Sequence, residues 1–366
     1  MGKNLSVVVA LNNIVAATVE RSRYFLFGIE FTKMATDFVA SFSAINNQHC
    51  YTKQLIYNYR RNMTIQWYPG HMHKAGREIK ETLVKVDLAI EILDARIPYS
   101  SENPMLARLR GDKPCIKVLN KSDLADPGIT ERWQVYLEQE KGVKTLAVSM
   151  DQTDKIRQMT DLCRKLVPPE RSEGRLTQAL IMGIPNVGKS TIINILAGRT
   201  IAKTGDEPAV TKRQQRIAIG DGVILLDTPG MLWPNVENQN SGYRLAASGA
   251  IKDTAITHDD VAYFLLEYLS QQYPDMIKER FQLTELPSST QELMAFIGRK
   301  RGCLRSGGLI DLDKIAKILL TELRAGTLGR ISLETPEMME TELVEVALIR
   351  QLKAEKMLER KRKGKR

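Results

Sequence analysis

Gly183-Ile184-Pro185-Asn186-Val187-Gly188-Lys189-Ser190 sets two glycines, a lysine and a hydroxyl at the spacing G-x-x-x-x-G-K-[ST]. Small residues in such a loop let consecutive backbone N–H groups curl around phosphate oxygens at a helix N-terminus, where the dipole favours negative charge. Asn186, Val187, Gly188, Lys189, Ser190 and the following Thr191 are therefore candidate phosphate contacts. Lys189 can reach the outer phosphates, and the Ser190 hydroxyl can ligate Mg2+. The alternative is a chance match in a glycine-containing turn. The surroundings argue against it, because Leu176 to Met182 reads as an apolar strand and Ser190 to Ala197 as a helix ending near Gly198.

Two further motifs fall at the carboxyl ends of expected strands. Asn120-Lys121-Ser122-Asp123 follows the strand Cys115 to Leu119 and has the form N-K-x-D. A carboxylate at Asp123 can accept hydrogen bonds from N1–H and the 2-amino group of guanine, an arrangement adenine does not offer. Alone this pattern is often a polar turn; beside the phosphate loop it points to GTP. Asp227-Thr228-Pro229-Gly230 ends the strand Val223 to Leu226. Its aspartate can hold Mg2+ through water, and the Gly230 N–H can sense a γ-phosphate. Thr211 is the candidate for a second switch threonine and Mg2+ ligand, against the reading of an ordinary loop threonine. Ser149-Met150 sits where a backbone N–H could meet the guanine O6, a weak signal by itself.

The elements that must position these loops alternate strand and helix. Strands are expected at Val86–Leu93, Cys115–Leu119 and Thr145–Val148, with helices at His73–Val84, Ile129–Glu140 and Gln152–Leu166. Gly220-Asp221-Gly222 joins Gln215–Ile219 to Val223–Leu226 as a hairpin. The pattern predicts an α/β fold with a doubly wound, mostly parallel sheet. Pro168 to Gly174 reads as a linker and Lys203 to Lys212 as a mobile loop. From about Asp259 only helices follow. Val261, Phe264, Leu265 and Tyr268 share one helical face. Asp311 caps a helix bearing Ile315, Ile318, Leu319 and Leu323, which Gly326 ends. A last helix runs from about Pro336 into a basic tail. The chain thus divides into an extension, 1–62, an α/β domain, 63–255, and a smaller all-α domain, 256–366.

Residues 1–62 are expected to lie outside the folded body, with Met63-Thr64-Ile65-Gln66-Trp67 a more natural beginning. Their scarcity of acids leaves an organellar transit peptide conceivable. The chain of 366 residues carries a net charge of +10, which suits a polyanionic partner without identifying it. Arg299-Lys300-Arg301 and the tail after Lys353 are candidate phosphate contacts, or simply solvated charge. The four cysteines are far apart with no C-x-x-C pair, which argues against a zinc site and for a reducing compartment. No apolar run reaches the ~18 residues needed to span a membrane.

The order of the motifs is unusual. The guanine motif precedes the phosphate loop and the magnesium motif follows it, the reverse of ordinary GTPases, so the sheet is read as circularly permuted with its join at Pro168–Gly174. The chain resembles the circularly permuted GTPases, specifically the ribosome biogenesis GTPase A family, also called YlqF. The resemblance runs from about Met63 to the end. It rests on Gln66-Trp67-Tyr68-Pro69-Gly70-His71-Met72, Asp94-Ala95-Arg96, Asn120–Asp123, Gly183–Ser190, Asp227–Gly230 and Leu328-Gly329-Arg330. It implies GTP hydrolysis coupled to late assembly of the large ribosomal subunit, with the helical domain on rRNA. Ala209 and Met150 depart from the family's usual glycine and alanine.

Many GTPases place a water-orienting glutamine after D-x-x-G; here the residue is Met231, and the resemblance places this chain among GTPases with a hydrophobic residue there. His71 is the leading substitute, as an imidazole can orient or accept a proton from water, although it could equally pack the N-terminus onto the sheet. Asn186 offers another route, since in related GTPases an asparagine at this position helps hold K+; otherwise it merely shapes the loop. The reading is a monomeric, cytoplasmic GTPase with His71, Lys189 and Thr211 in catalysis, activated by the large subunit. The rivals are a small-subunit assembly GTPase, an RNA-binding scaffold with a silent nucleotide site, and an organellar homologue.

Overall fold

The computed structural model describes residues 65, 67–167, 175–201 and 215–363; of these, the side chains of His71, Lys356 and residues 359–363 lie outside the description. The expectations for the 1–62 extension, the Pro168–Gly174 linker, the Lys203–Lys212 loop and Thr211 fall outside the described residues. The described chain forms two units, one of residues 65–236 with 240–335 and one of 237–239 with 336–363.

The larger unit is built on a six-stranded sheet. Its strands are β1 (Leu88–Asp94), β2 (Cys115–Asn120), β3 (Val143–Ala147), β4 (Thr177–Gly183), β5 (Gln215–Ala218) and β6 (Val223–Asp227), in the order β3-β2-β1-β4-β6-β5. All neighbours are parallel except β5, which pairs antiparallel with β6 across the Gly220–Gly222 turn. Strands covered on both faces read as near-continuous apolar runs, and β1, Leu-Ala-Ile-Glu-Ile-Leu-Asp, is buried throughout, its two acids included. Helix α1 (Gly70–Leu83) precedes β1, and α2 (Pro98–Ser101), α3 (Pro104–Arg110), α4 (Pro127–Glu138), α5 (Thr153–Leu166) and α6 (Lys189–Ala197) lie between the strands. Asp126 caps α4 by accepting from the Ile129 N–H at 3.1 Å, with Pro127 in the first turn, where its missing N–H costs nothing.

The strands fall within two residues of their expected limits. Two helical expectations need correction. Helix α1 begins at Gly70, not His73, with Pro69 as its cap residue, so the Pro-Gly step opens a helix instead of standing free before one. His71 therefore lies in the first turn of α1. A helix not foreseen, α7 (Gln239–Ser248), follows the D-T-P-G strand. It buries Ser241, Gly242, Arg244 and Ser248 among apolar neighbours, and that mixture carries no amphipathic period.

The helices α8 (His258–Gln272), α9 (Pro274–Phe281), α10 (Thr290–Lys300) and α11 (Leu312–Ala325) complete this unit. Val261, Ala262, Leu265, Leu266 and Leu269 of α8 are buried; Phe264 is only partly so and stacks on Tyr243, ring centroids 5.0 Å apart. Asp311 caps α11 by accepting from the Lys314 N–H at 3.2 Å, and Gly326 ends it in the left-handed region. Helix α12 (Pro336–Lys363) belongs to the second unit, where Asn238 donates to Glu342 at 2.6 Å and Arg350 pairs with Glu237. Among the described residues no helix is long and apolar enough to cross a membrane.

Candidate nucleotide site

The carboxyl ends of β1, β2, β3, β4 and β6 lie on one edge of the sheet, where open α/β sheets bind ligands. β4 lies between β1 and β6 and delivers the phosphate loop to the N-terminus of α6. Asn186 has φ 58°, a left-handed conformation that asparagine tolerates. Gly188 has φ 91°, and a Cβ there would overlap the Asn120 amide. This position therefore requires glycine twice over.

Asn120 and Lys121 brace that loop. The Asn120 amide donates to the Val187 carbonyl at 2.6 Å, and Lys121 Nζ donates to the Asn186 carbonyl at 2.8 Å. Lys121 also reaches Asp94 Oδ2 at 3.1 Å, and Asp94 receives Arg96 on both oxygens, at 2.9 and 2.7 Å. Burial by itself pushes the Asp94 carboxyl up, but the Arg96 and Lys121 charges overcome it and hold the group well below the usual carboxylate range. Burial also pulls the Lys121 ammonium down, only partly offset by Asp94. The N-K-x-D lysine is thus a structural cation under the phosphate loop. Asp123, three residues beyond Asn120, is exposed. Ser149 is buried and hydrogen-bonded to Asp151, while Met150 packs its methyl near Gly188.

Lys189 pairs with Asp227 Oδ1, and both side chains are buried. The second oxygen, Asp227 Oδ2, is buried without a hydrogen-bond partner among the described residues. Burial raises the Asp227 carboxyl despite the lysine beside it. An orphaned carboxylate oxygen and the Ser190 hydroxyl at the start of α6 are hard oxygen donors, the kind Mg2+ takes. When bound, the ion would neutralise charge developing on the phosphates. Thr228 fastens the D-T-P-G turn to β4 through the Ile181 carbonyl at 3.0 Å. A Cβ on Gly230 would lie 3.2 Å from Pro185 Cα, so the switch glycine touches phosphate-loop backbone.

Met231 is 1% exposed and donates its N–H to the Gly183 carbonyl at 3.1 Å. Tyr68 reaches its sulfur at 3.9 Å and the Met72 carbonyl at 3.0 Å. The residue after D-x-x-G is therefore a core contact clamped under the Trp67–Met72 segment. The fold brings together Asn120, Lys121, Met150, Asn186, Val187, Gly188, Lys189, Asp227 and Gly230. Ser149 lies beside them on the β3 loop, Ser190 and Thr191 open α6, and Asp123 projects from the guanine loop. Thr211 and the His71 side chain lie outside the described residues.

The comparisons with known proteins agree with this geometry. Residues 178–296 match the family model described as 50S ribosome-binding GTPase. Ribosome biogenesis GTPase A of Bacillus pumilus is 46% identical over 282 residues, covering 75% of this chain and 100% of the relative. The chain belongs to the ribosome biogenesis GTPase A family. A Thermotoga maritima member is 32% identical over 273 residues, covering 75% of this chain and 95% of its own. The solved GNP-bound YlqF of T. maritima superposes with a TM-score of 0.55 at 30% identity, covering 72% of this chain and 99% of that one. As a member of this family the protein is a GTP hydrolase built on a circularly permuted P-loop domain. It binds GTP, with Mg2+ as the usual companion ion.

The contacts that sequence reasoning did not foresee lie behind the loops. Asn186 donates to the Gly249 carbonyl at 2.9 Å, just past α7. Arg324 of α11 donates to the Ala246 and Ala247 carbonyls at 3.0 and 3.1 Å and pairs with Asp253. Arg96 donates to the Leu323 carbonyl at 3.3 Å. The Asp94-Ala95-Arg96 and Leu328-Gly329-Arg330 motifs were the available signals, but neither names its distant partner. Of the basic cluster Arg299-Lys300-Arg301, two members have internal partners. Lys300 donates to the Phe281 carbonyl at 2.7 Å, and Arg301 pairs with Glu322 at 2.8 Å.

Proposed function

We propose that this GTPase acts in ribosome assembly, binding the precursor of the large subunit and coupling GTP hydrolysis to its late maturation. The match of residues 178–296 to a family described as 50S ribosome-binding carries this reading. The net charge of +10 supports a polyanionic partner. In this reading residues 63–255 hydrolyse GTP and residues 256–366 contact rRNA. The protein works as a cytoplasmic monomer and is stimulated by the subunit. Asp123 reads guanine, the Ser149-Met150 backbone meets its O6, and the phosphate loop holds the phosphates. Ser190 and Asp227, with Thr211, serve Mg2+. The buried Met231 cannot orient water, so that task falls to His71, with K+ beside Asn186 as an added positive charge at the phosphates.

The test is co-sedimentation with separated ribosomal subunits in GTP, GDP and a non-hydrolysable analogue. Association with the large subunit in the GTP or analogue state, and multiple-turnover hydrolysis in its presence, are expected. Co-sedimentation with the small subunit alone would favour the rival reading. His71→Ala should leave GTP and subunit binding intact and lower stimulated turnover by about 10²–10⁴. Full retained turnover would move the water-orienting role to K+ or RNA, which replacement of K+ by Na+ in the same assay separates.

A further inference from the structure

The guanine loop is held from behind by a segment some two hundred residues away in the chain. Arg330 donates through Nε to the Ala125 carbonyl and through a terminal nitrogen to the Ser122 carbonyl, both at 3.1 Å. The Ile331 N–H donates to the Leu124 carbonyl at 2.9 Å, and Ser332 Oγ accepts the Asp126 N–H at 3.2 Å. Four residues surrounding Asp123 thus have a main-chain group bonded to this stretch, while the Asp123 side chain stays exposed. The stretch is itself anchored. The Ser332 carbonyl accepts from Tyr268 and Tyr273, the Leu333 N–H bonds the Arg96 carbonyl, and the Leu333 carbonyl accepts from Arg244. Glu334 accepts from the Ser100 N–H at 2.9 Å.

We propose that residues 326–334 are a strap that sets the register of the guanine loop, with Arg330 as its positioning residue. Base discrimination in this GTPase then depends on the helical half of the chain. The argument is geometric. A short loop whose reading carboxylate points to solvent has little packing of its own to fix it. Hydrogen bonds to a carboxylate are directional and weaken steeply with misalignment. Arginine is suited to the task because its planar fork spans two carbonyls at once, which a lysine point charge does not. The strap continues from the C-terminus of α11, and that helix also holds α7 through Arg324, on the far side of the phosphate-loop residue Asn186. A shift of α11 would therefore be felt at the base as well as at the phosphates. By linkage, base occupancy would bias α11 in return.

The inference rests on Asp123 reading guanine, and the experiment separates the two. Affinities for GTP and inosine triphosphate, which lacks the 2-amino group, are measured by titration of the full chain and its Arg330→Ala, Arg330→Lys, Ser332→Ala and Asp123→Ala variants. Thermal midpoints are recorded in parallel. A hydrogen bond to a carboxylate gives the unaltered protein a preference for GTP of about 10–100-fold. Arg330→Ala should cut that ratio by about fivefold or more, since an angular error weakens the Asp123 bond. Arg330→Lys should be intermediate, and Ser332→Ala should move the ratio the same way by less. Loss of fold would lower both affinities together and leave the ratio unchanged, so the ratio is the diagnostic quantity. An unchanged ratio in Arg330→Ala and Ser332→Ala, with Asp123→Ala abolishing it, overturns the strap alone. An unchanged ratio in Asp123→Ala overturns the base-reading role as well. Full rescue by lysine would assign the effect to charge and overturn the positioning argument.

Discussion

Glu91 lies in the middle of β1 and is 2% exposed. It accepts from the Asn103 N–H at 2.8 Å. Lys117, on the neighbouring strand, already pairs with Glu102 at 2.8 Å and Glu140 at 3.3 Å, while Arg110 also pairs with Glu140. Three carboxylates thus face two cations, and the most buried one takes the proton. Burial first, and the Glu102 charge second, push Glu91 up to about 8. A raised carboxyl gives stability that is complete below its unfolded value near 4.5 and is lost as the pH rises to about 8. The loss across that window is about 5 kcal/mol at most, from 1.36 kcal/mol per pH unit, and the neighbouring cations will reduce it. Glu91→Gln preserves shape and the acceptor for Asn103 but has no proton to lose. Urea unfolding of both proteins between pH 5 and 9 is the assay. The two should be of similar stability at pH 5, and the variant should become the more stable by about 2–4 kcal/mol at pH 9. A difference between them that stays constant with pH would mean that Glu91 is ionised and paired in the fold, and the account of this cluster would be wrong.

Three further outcomes follow from the nucleotide site. Gly188→Ala, at φ 91° and against the Asn120 amide, should raise the Kd for GDP by about tenfold or more, as strain of this kind costs on the order of 1–3 kcal/mol; near-normal affinity would mean the loop relaxes freely. Asp123→Asn should exchange preference for GTP for preference for xanthosine triphosphate, and unchanged GTP affinity in a direct titration would remove Asp123 from the site. Deletion of 353–366 should flatten the salt dependence of large-subunit binding if those lysines and arginines meet phosphates. An identical slope would leave the tail as solvated charge.

The loops carrying the phosphate-loop pattern, N-K-x-D and D-T-P-G were legible as loops because each combines residue types that few other tasks require, and each sits where an apolar strand stops. The sheet was legible for the same reason, as buried parallel strands announce themselves by continuous apolar runs. Helix α7 was not, since its buried Ser241 and Arg244 are satisfied by distant partners, the Ser100 hydroxyl and the Leu333 carbonyl, each at 2.9 Å, while its buried Ser248 bonds back to the Leu245 carbonyl. Glu91 hides inside Leu-Ala-Ile-Glu-Ile-Leu-Asp, where one acid does not spoil a strand pattern but decides a local titration. The extent of α1 was misjudged because Pro-Gly was read only as a turn, although proline favours a position at the start of a helix. Arg299-Lys300-Arg301 carries ties that the sequence does not announce. A run of basic residues looks free in sequence, yet Lys300 and Arg301 are held by Phe281 and Glu322.

The bonds from Arg330 to the guanine loop join residues 205 and 208 positions apart. During synthesis at about 5–20 residues per second, this separation corresponds to a delay of about 10–40 s between the loop and its support. For that interval the growing chain carries Asn120 to Asp126 without the donors and acceptor that hold them. The chain order places every nucleotide motif ahead of the strap, so the loop receives its support last, from residues outside the nucleotide motifs. A chain cut short before residue 330 would carry the complete set of nucleotide motifs and still lack those bonds. Assembly of the pocket is thereby tied to the length of chain already made, and the carboxyl end of the larger unit acts as its clock.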